Sequence, residues 1–193
     1  MFHHHILPIL FPIIVILVII ILVTNKTSKA ISLVTTGYRS DAVKLICQTA
    51  MQPRGLTGLA QDTLDSSMAE IRAVFEILAC EDSYPTLVHC TQGKDRTGLV
   101  ILMMLLLAGE SVPTEAIVDD YSRSELELVS EFEERMKEIR AIGLDEDYTR
   151  CPAGFVTDTT EYLERRYGGV RGYLEKVGVG IEMQERVRGK LLA

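Results

Sequence analysis

Residues 86–108 read Thr-Leu-Val-His-Cys-Thr-Gln-Gly-Lys-Asp-Arg-Thr-Gly-Leu-Val-Ile-Leu-Met-Met-Leu-Leu-Leu-Ala. Thr86 to His89 form a short apolar, partly β-branched run after the breaker Tyr84-Pro85, and this predicts a buried strand. Leu99 to Ala108 is apolar almost all round, as a helix buried on every side would be. Gly109 stands where it can cap that helix. A strand, a polar glycine-containing loop and a buried helix in immediate succession predict the α/β class. The only other strand that can be proposed is a weak one at Ala30 to Thr35. The expected fold is therefore a small, incomplete sheet surrounded by helices.

Working outward, Ser40 to Met51 has Val43, Ile46, Cys47 and Ala50 at helical spacing, and Pro53-Arg54-Gly55 should end that helix. Ser67-Met68-Ala69-Glu70 has the form of a capping box, with Ile71, Val74, Phe75 and Leu78 as one apolar face behind it. The polar stretch before it, which holds Asp62 and Asp65, reads as a loop. Further helices are expected at Thr114 to Tyr121, Ser124 to Ile142, Asp158 to Tyr167, Val170 to Val177 and Glu182 to Leu192.

The loop His89 to Gly98 carries the chemistry. A loop entering a helix amino terminus gathers backbone N–H groups around one point, and such a cradle binds an anion. Cys90 lies at its base, where the positive helix end and Arg96 favour the thiolate, the form that attacks phosphorus. Arg96 offers two parallel N–H donors to phosphate oxygens, which lysine could not supply. Thr97 can hydrogen-bond the sulfur, both in the free enzyme and when the thiolate leaves a phosphocysteine. Thr91, Gln92, Gly93, Lys94, Asp95, Arg96 and Thr97 are the expected phosphate-binding residues. A nucleotide-binding loop is excluded, because Val88 stands where the first glycine should be and Asp95 where a Ser or Thr should meet magnesium. Catalysis of this kind is positioning plus electrostatics, and no metal or other cofactor is called for.

The chain has 193 residues and a formal charge of −7, which argues against a nucleic-acid partner. Its four cysteines, Cys47, Cys80, Cys90 and Cys151, form no C-x-x-C pair, so structural zinc is not expected. Residues 1–24 contain no charged side chain, and the run Ile6 to Val23 would span roughly 27 Å as a helix, close to the thickness of a bilayer's hydrocarbon core. It reads as one hydrophobic helix anchoring the chain to a membrane through residues 6–23. Lys26, Lys29 and Arg39 follow it, which places the remaining domain, residues 25–193, in the cytoplasm. A cleaved signal peptide ending at Ser28-Lys29-Ala30, which would secrete the domain, is the alternative, as is a soluble cytoplasmic protein whose true coding sequence lacks this segment.

With these residues in view, the chain resembles the atypical tyrosine phosphatases of fungi and bacteria whose loop reads H-C-x-x-G-K-D-R-T-G. The likeness extends from about residue 37 to 193 through P-R-G-L-T-G-L-A-Q-D-T-L-D at 53–65, A-I-V-D-D-Y-S-R-S at 116–124 and Y-G-G-V-R-G-Y-L at 167–174. It implies hydrolysis of phosphotyrosine in proteins, with phosphoserine, phosphothreonine or phosphoinositides as further substrates. Cys90 carries over as nucleophile and Arg96 as phosphate clamp, with Lys94 and Asp95 as specificity residues of the loop. Similar proteins begin with a strand-rich third that contains an Asp-Leu-Arg strand and supplies the general acid. Here the apolar segment stands in its place, so the acid must come from elsewhere. Asp95 in the loop is one candidate, with Asp62 and Asp65 as alternatives. A rival reading from another class is a phosphate-recognising pseudophosphatase, a binding module that keeps the cradle and turns over weakly.

Overall fold

The computed structural model of the chain describes residues 32–192. From residue 39 onward they form the α-helices α1 Arg39–Ile46, α2 Gly55–Ser66, α3 Met68–Leu78, α4 Asp95–Ala108, α5 Thr114–Glu127, α6 Phe132–Ala141, α7 Phe155–Tyr167, α8 Val170–Lys176 and α9 Ile181–Leu191. Among the described residues there is no strand, so the α/β expectation is overturned. The physical reason is that a strand persists as part of a hydrogen-bonded ladder. Of the partner expected at Ala30 to Thr35, residues 32–35 are helical, and 30 and 31 lie outside the described residues. Thr86 to His89 is left without a ladder, and Leu87 is 78% exposed where a buried strand residue was expected. The apolar segment 6–23 also lies outside the described residues. Among those described, no helix is long and apolar enough to cross a membrane.

The buried central helix is present as its sequence predicts. Along α4, Leu99, Val100, Leu102, Met103, Leu107 and Ala108 are buried, and the helix packs against α2, α5, α8 and α9. Its neighbours contribute Leu64, Phe75, Leu163, Leu174 and Val187 to one continuous core. Gly109 ends the helix at φ 76°. A second, smaller cluster of Cys47, Ile139, Leu144 and Tyr148 joins α6 to the end of α1. There the helix passes into a π-helical turn at Cys47–Met51.

Three local differences from the sequence expectation have physical causes. The polar stretch before α3 is not a loop but the helix α2. Its glycines, threonines and aspartates are weak helix formers, and tertiary contacts override that weakness. Leu64 is fully buried, and the Arg54 guanidinium spans two turns of α2 to reach both oxygens of Asp62 at 3.0 and 2.7 Å. Gly58 leaves room for it, since a Cβ there would lie 3.0 Å from the Arg54 side chain. Next, α3 begins at the expected place without the capping box. Ser67 is still completing α2, its N–H bonded to the Thr63 carbonyl at 2.9 Å, and its side chain makes no cap. Finally, the long helix expected at Ser124 to Ile142 is broken by a 3-10 turn at Val129–Glu131. Ile117 and Tyr121 of α5 face the main core, whereas Arg135, Met136 and Ile139 of α6 are buried elsewhere. One straight helix could not bury both faces.

Candidate active site

The loop 89–94 runs into the amino terminus of α4, and the helix closes on it through the Gly98 N–H, which donates to the Lys94 carbonyl at 2.6 Å. Gly93 takes a left-handed φ of +68° to make the turn, a conformation that costs glycine little and other residues more. Gly98 is needed for space. A Cβ there would stand 2.8 Å from the Tyr121 ring, which stacks on Phe155 with centroids 4.2 Å apart. These contacts set α5 and α7 directly behind the loop.

Cys90 is half-buried. Burial alone would raise its thiol, but the Thr97 hydroxyl, the backbone N–H groups of Thr97 and Gln92, and the Arg96 charge outweigh that effect, so the net shift is downward. Buried Thr97 Oγ1 forms no fully aligned hydrogen bond, which leaves its proton for the sulfur once Cys90 ionises. The Arg96 guanidinium donates from Nη2 to Thr91 Oγ1 at 3.1 Å, fixing it across the loop. His89 is exposed, with Nδ1 3.2 Å from the Cys90 carbonyl. Sequence reasoning brought Cys90, Thr91, Gln92, Arg96 and Thr97 to one place, and the structure does the same.

The other expected residues are distributed differently. Lys94 belongs to the loop by its backbone, but its side chain is fully buried, and Nζ donates to the carbonyls of Arg150 at 2.6 Å and Tyr148 at 3.3 Å. Asp95 lies 3.5 Å from that ammonium and accepts from the Tyr121 hydroxyl at 3.4 Å. Burial pushes its carboxyl up, against the opposing pull of Lys94, Tyr121 and Arg135. Asp62 is paired with Arg54. Asp65 accepts from the hydroxyls of Tyr162 at 2.7 Å and Tyr167 at 2.5 Å, and Arg166 completes its shell at 3.1 Å. That cluster is where the 53–65 and 167–174 segments meet, so their pattern is structural. Asp62 and Asp65 are both committed as acceptors to guanidinium groups.

A residue not singled out from the sequence borders the site. A small cleft is walled on one side by Gly93, Thr97 and Gly98, and on the other by Asp120, Tyr121 and Ser124 of α5. Ile117, Asp120, Tyr121 and Ser124 follow the i, i+3, i+4, i+7 spacing of one helix face. The signal was therefore present in A-I-V-D-D-Y-S-R-S, but nothing in the sequence said that this face meets the loop.

A family model described as "Tyrosine phosphatase family" matches residues 28–193. A tyrosine-protein phosphatase of Nostoc commune is 31% identical over 137 residues, covering 66% of this chain and 46% of that protein. The triple specificity protein phosphatase PtpB of Mycobacterium tuberculosis is 30% identical over 146 residues, covering 67% of this chain and 51% of that protein. The chain thus spans about half the length of the curated relatives it matches. Matched by the family model over most of its sequence, this chain belongs to the tyrosine phosphatase family.

Proposed function

We propose that the chain hydrolyses phosphomonoesters, phosphotyrosine in proteins foremost, through a phosphocysteine intermediate. The observation that carries this reading is the depressed thiol of Cys90 inside a loop spanned by Arg96. The Cys90 thiolate attacks phosphorus, the P–O bond to the leaving oxygen breaks, and that oxygen takes a proton. Water then attacks phosphorus, the P–S bond breaks, and the thiolate is restored with the Thr97 hydroxyl beside it. Arg96 and the loop amides hold the phosphoryl oxygens throughout. The proton donor we favour is Asp120, which lines the cleft, because Asp62 and Asp65 are tied to guanidinium groups and Asp95 turns toward Lys94 and Tyr121. Phosphoinositides are less favoured, since the Lys94 ammonium that would meet extra phosphates is engaged by backbone carbonyls. The weak-turnover, phosphate-binding reading draws on the unladdered, exposed segment that leads into Cys90. The two separate on Cys90→Ser and Arg96→Lys assayed with a phosphotyrosyl peptide. The expected result is active wild type, with Cys90→Ser binding the peptide without turnover and Arg96→Lys nearly inactive. Turnover by Cys90→Ser at the wild-type rate would exclude the thiol as nucleophile.

A further inference from the structure

Three consecutive carbonyls, those of Tyr148, Thr149 and Arg150, each accept from a buried cation. Lys94 Nζ takes the first and third at 3.3 and 2.6 Å, and Arg135 Nη2 takes the middle one at 3.0 Å. Lys94 is 0% and Arg135 4% exposed. Charged groups are rarely buried to this degree without dedicated partners. The turn they grip is itself held firmly. Tyr148 donates its hydroxyl to the Met51 carbonyl, the Cys151 N–H donates to Glu125 at 2.6 Å, and Asp147 N–H donates to Asp145 at 3.1 Å. Lys94 therefore reaches from the end of the loop to a support tied to the π-helical turn Cys47–Met51, to α5 and to α6.

We propose that Lys94 and Arg135 are positioning residues: they clamp the 148–150 carbonyls and thereby fix the shape of the phosphate loop, so Lys94 acts on catalysis through the loop and not by touching substrate. Its own backbone, φ −101° and ψ −80°, is neither helical nor extended, and it sits between left-handed Gly93 and the first residue of α4. A side chain pinned at its far end is what holds such a residue in place. Asp95, 3.5 Å from Lys94 Nζ, balances part of the charge and ties the clamp to Tyr121. When the clamp is released, the Gln92 and Thr97 N–H groups should lose their aim at the Cys90 sulfur.

This inference rests on Cys90 being the nucleophile, and its first test needs no turnover. The pH dependence of Cys90 alkylation by iodoacetamide is measured in the full chain and in Lys94→Met and Arg135→Met. Both variants should raise the inflection by about one pH unit, the scale of a weakened charge-assisted hydrogen bond. They should also lower kcat/KM about tenfold or more, alike for para-nitrophenyl phosphate and a soluble inositol polyphosphate. A Lys94→Met variant that loses affinity for the polyphosphate alone, with an unmoved inflection, would show substrate contact and overturn the proposal. So would an Arg135→Met variant that changes neither measurement. If the methionine variants do not fold, Lys94→Gln and Arg135→Lys each retain a donor and should give the same changes in smaller size. Failure of all four to fold would mean that the clamp holds the domain and not specifically the loop. Should Cys90→Ser keep full turnover, the catalytic reading falls while the alkylation result still decides the clamp.

Discussion

Substituting Gly98 by alanine sets two effects of opposite sign against each other, and the structure says which one wins. Alanine in place of glycine at a helical position stabilises a protein by about 0.4–1 kcal/mol when it fits, through the unfolded chain and helix propensity. At Gly98 it does not fit. The new Cβ would lie 2.8 and 2.9 Å from two atoms of the Tyr121 ring. That ring is 6% exposed and stacks within 11° of parallel on fully buried Phe155, so it cannot swing aside. Overpacking of this kind costs roughly 1–3 kcal/mol, and a displaced Tyr121 also gives up its hydrogen bond to Asp95, about 0.5–1.5 kcal/mol. The net expectation is a loss of roughly 1–3 kcal/mol, or a Tm lower by about 2–12 °C for a domain of this size. Gly189 is the matched control: it is an exposed position in α9 with no atom within 4 Å of a built Cβ. There the same substitution should stabilise by roughly 0.5 kcal/mol. Urea unfolding followed by circular dichroism, with unchanged slopes, reads both. A Gly98→Ala protein as stable as the Gly189→Ala one would refute the close packing of α4 on Tyr121.

Two further expectations concern the chemistry. Cys90 has its thiol pKa lowered from 9.0, so the thiolate persists below the ordinary thiol range and is lost as pH falls through the depressed value. kcat/KM and the alkylation rate should therefore decline together on the acid side, and Arg96→Met should move that decline to higher pH. An inflection unmoved by Arg96→Met would remove the guanidinium as a cause of the shift. If Asp120 protonates the leaving oxygen, Asp120→Asn should slow phenyl phosphates with poor leaving groups by about 10²–10⁴-fold and spare those with good ones. An equally selective effect in Asp95→Asn, with none in Asp120→Asn, would reverse the assignment.

The site was more legible in the sequence than the fold was. Cys90, Arg96, Thr97 and the glycines around them lie a few residues apart, and helix α4 announces itself by being apolar on every side, so local reading sufficed to bring them together. Thr86 to His89 shows the opposite case. Its apolar, β-branched composition is that of a strand, but a strand is a relation between two segments, and no described segment pairs with it in a ladder. The helix α2 was missed for a related reason. What makes Gly55–Ser66 helical is Arg54 reaching Asp62 and burial of Leu64, neither of which appears as periodicity. Lys94 reads as a phosphate-binding residue because it belongs to the loop 89–98. The carbonyls its side chain meets, those of Tyr148 and Arg150, lie 54 and 56 residues further along the chain.

The phosphate loop is thus supported from behind. The Tyr121 and Phe155 rings of α5 and α7 lie against Gly98 of α4, and the buried Lys94, just ahead of α4, is bonded to the carbonyls of Tyr148 and Arg150. The segment leading into it is exposed at Thr86, Leu87 and His89 and makes no ladder. Perturbations on the two sides should consequently differ in kind. Those behind the loop should alter the thiolate and the phosphoryl grip together, because both depend on the same amides. Polar substitution of Leu87, which is already 78% exposed, should leave the Cys90 alkylation profile where it is.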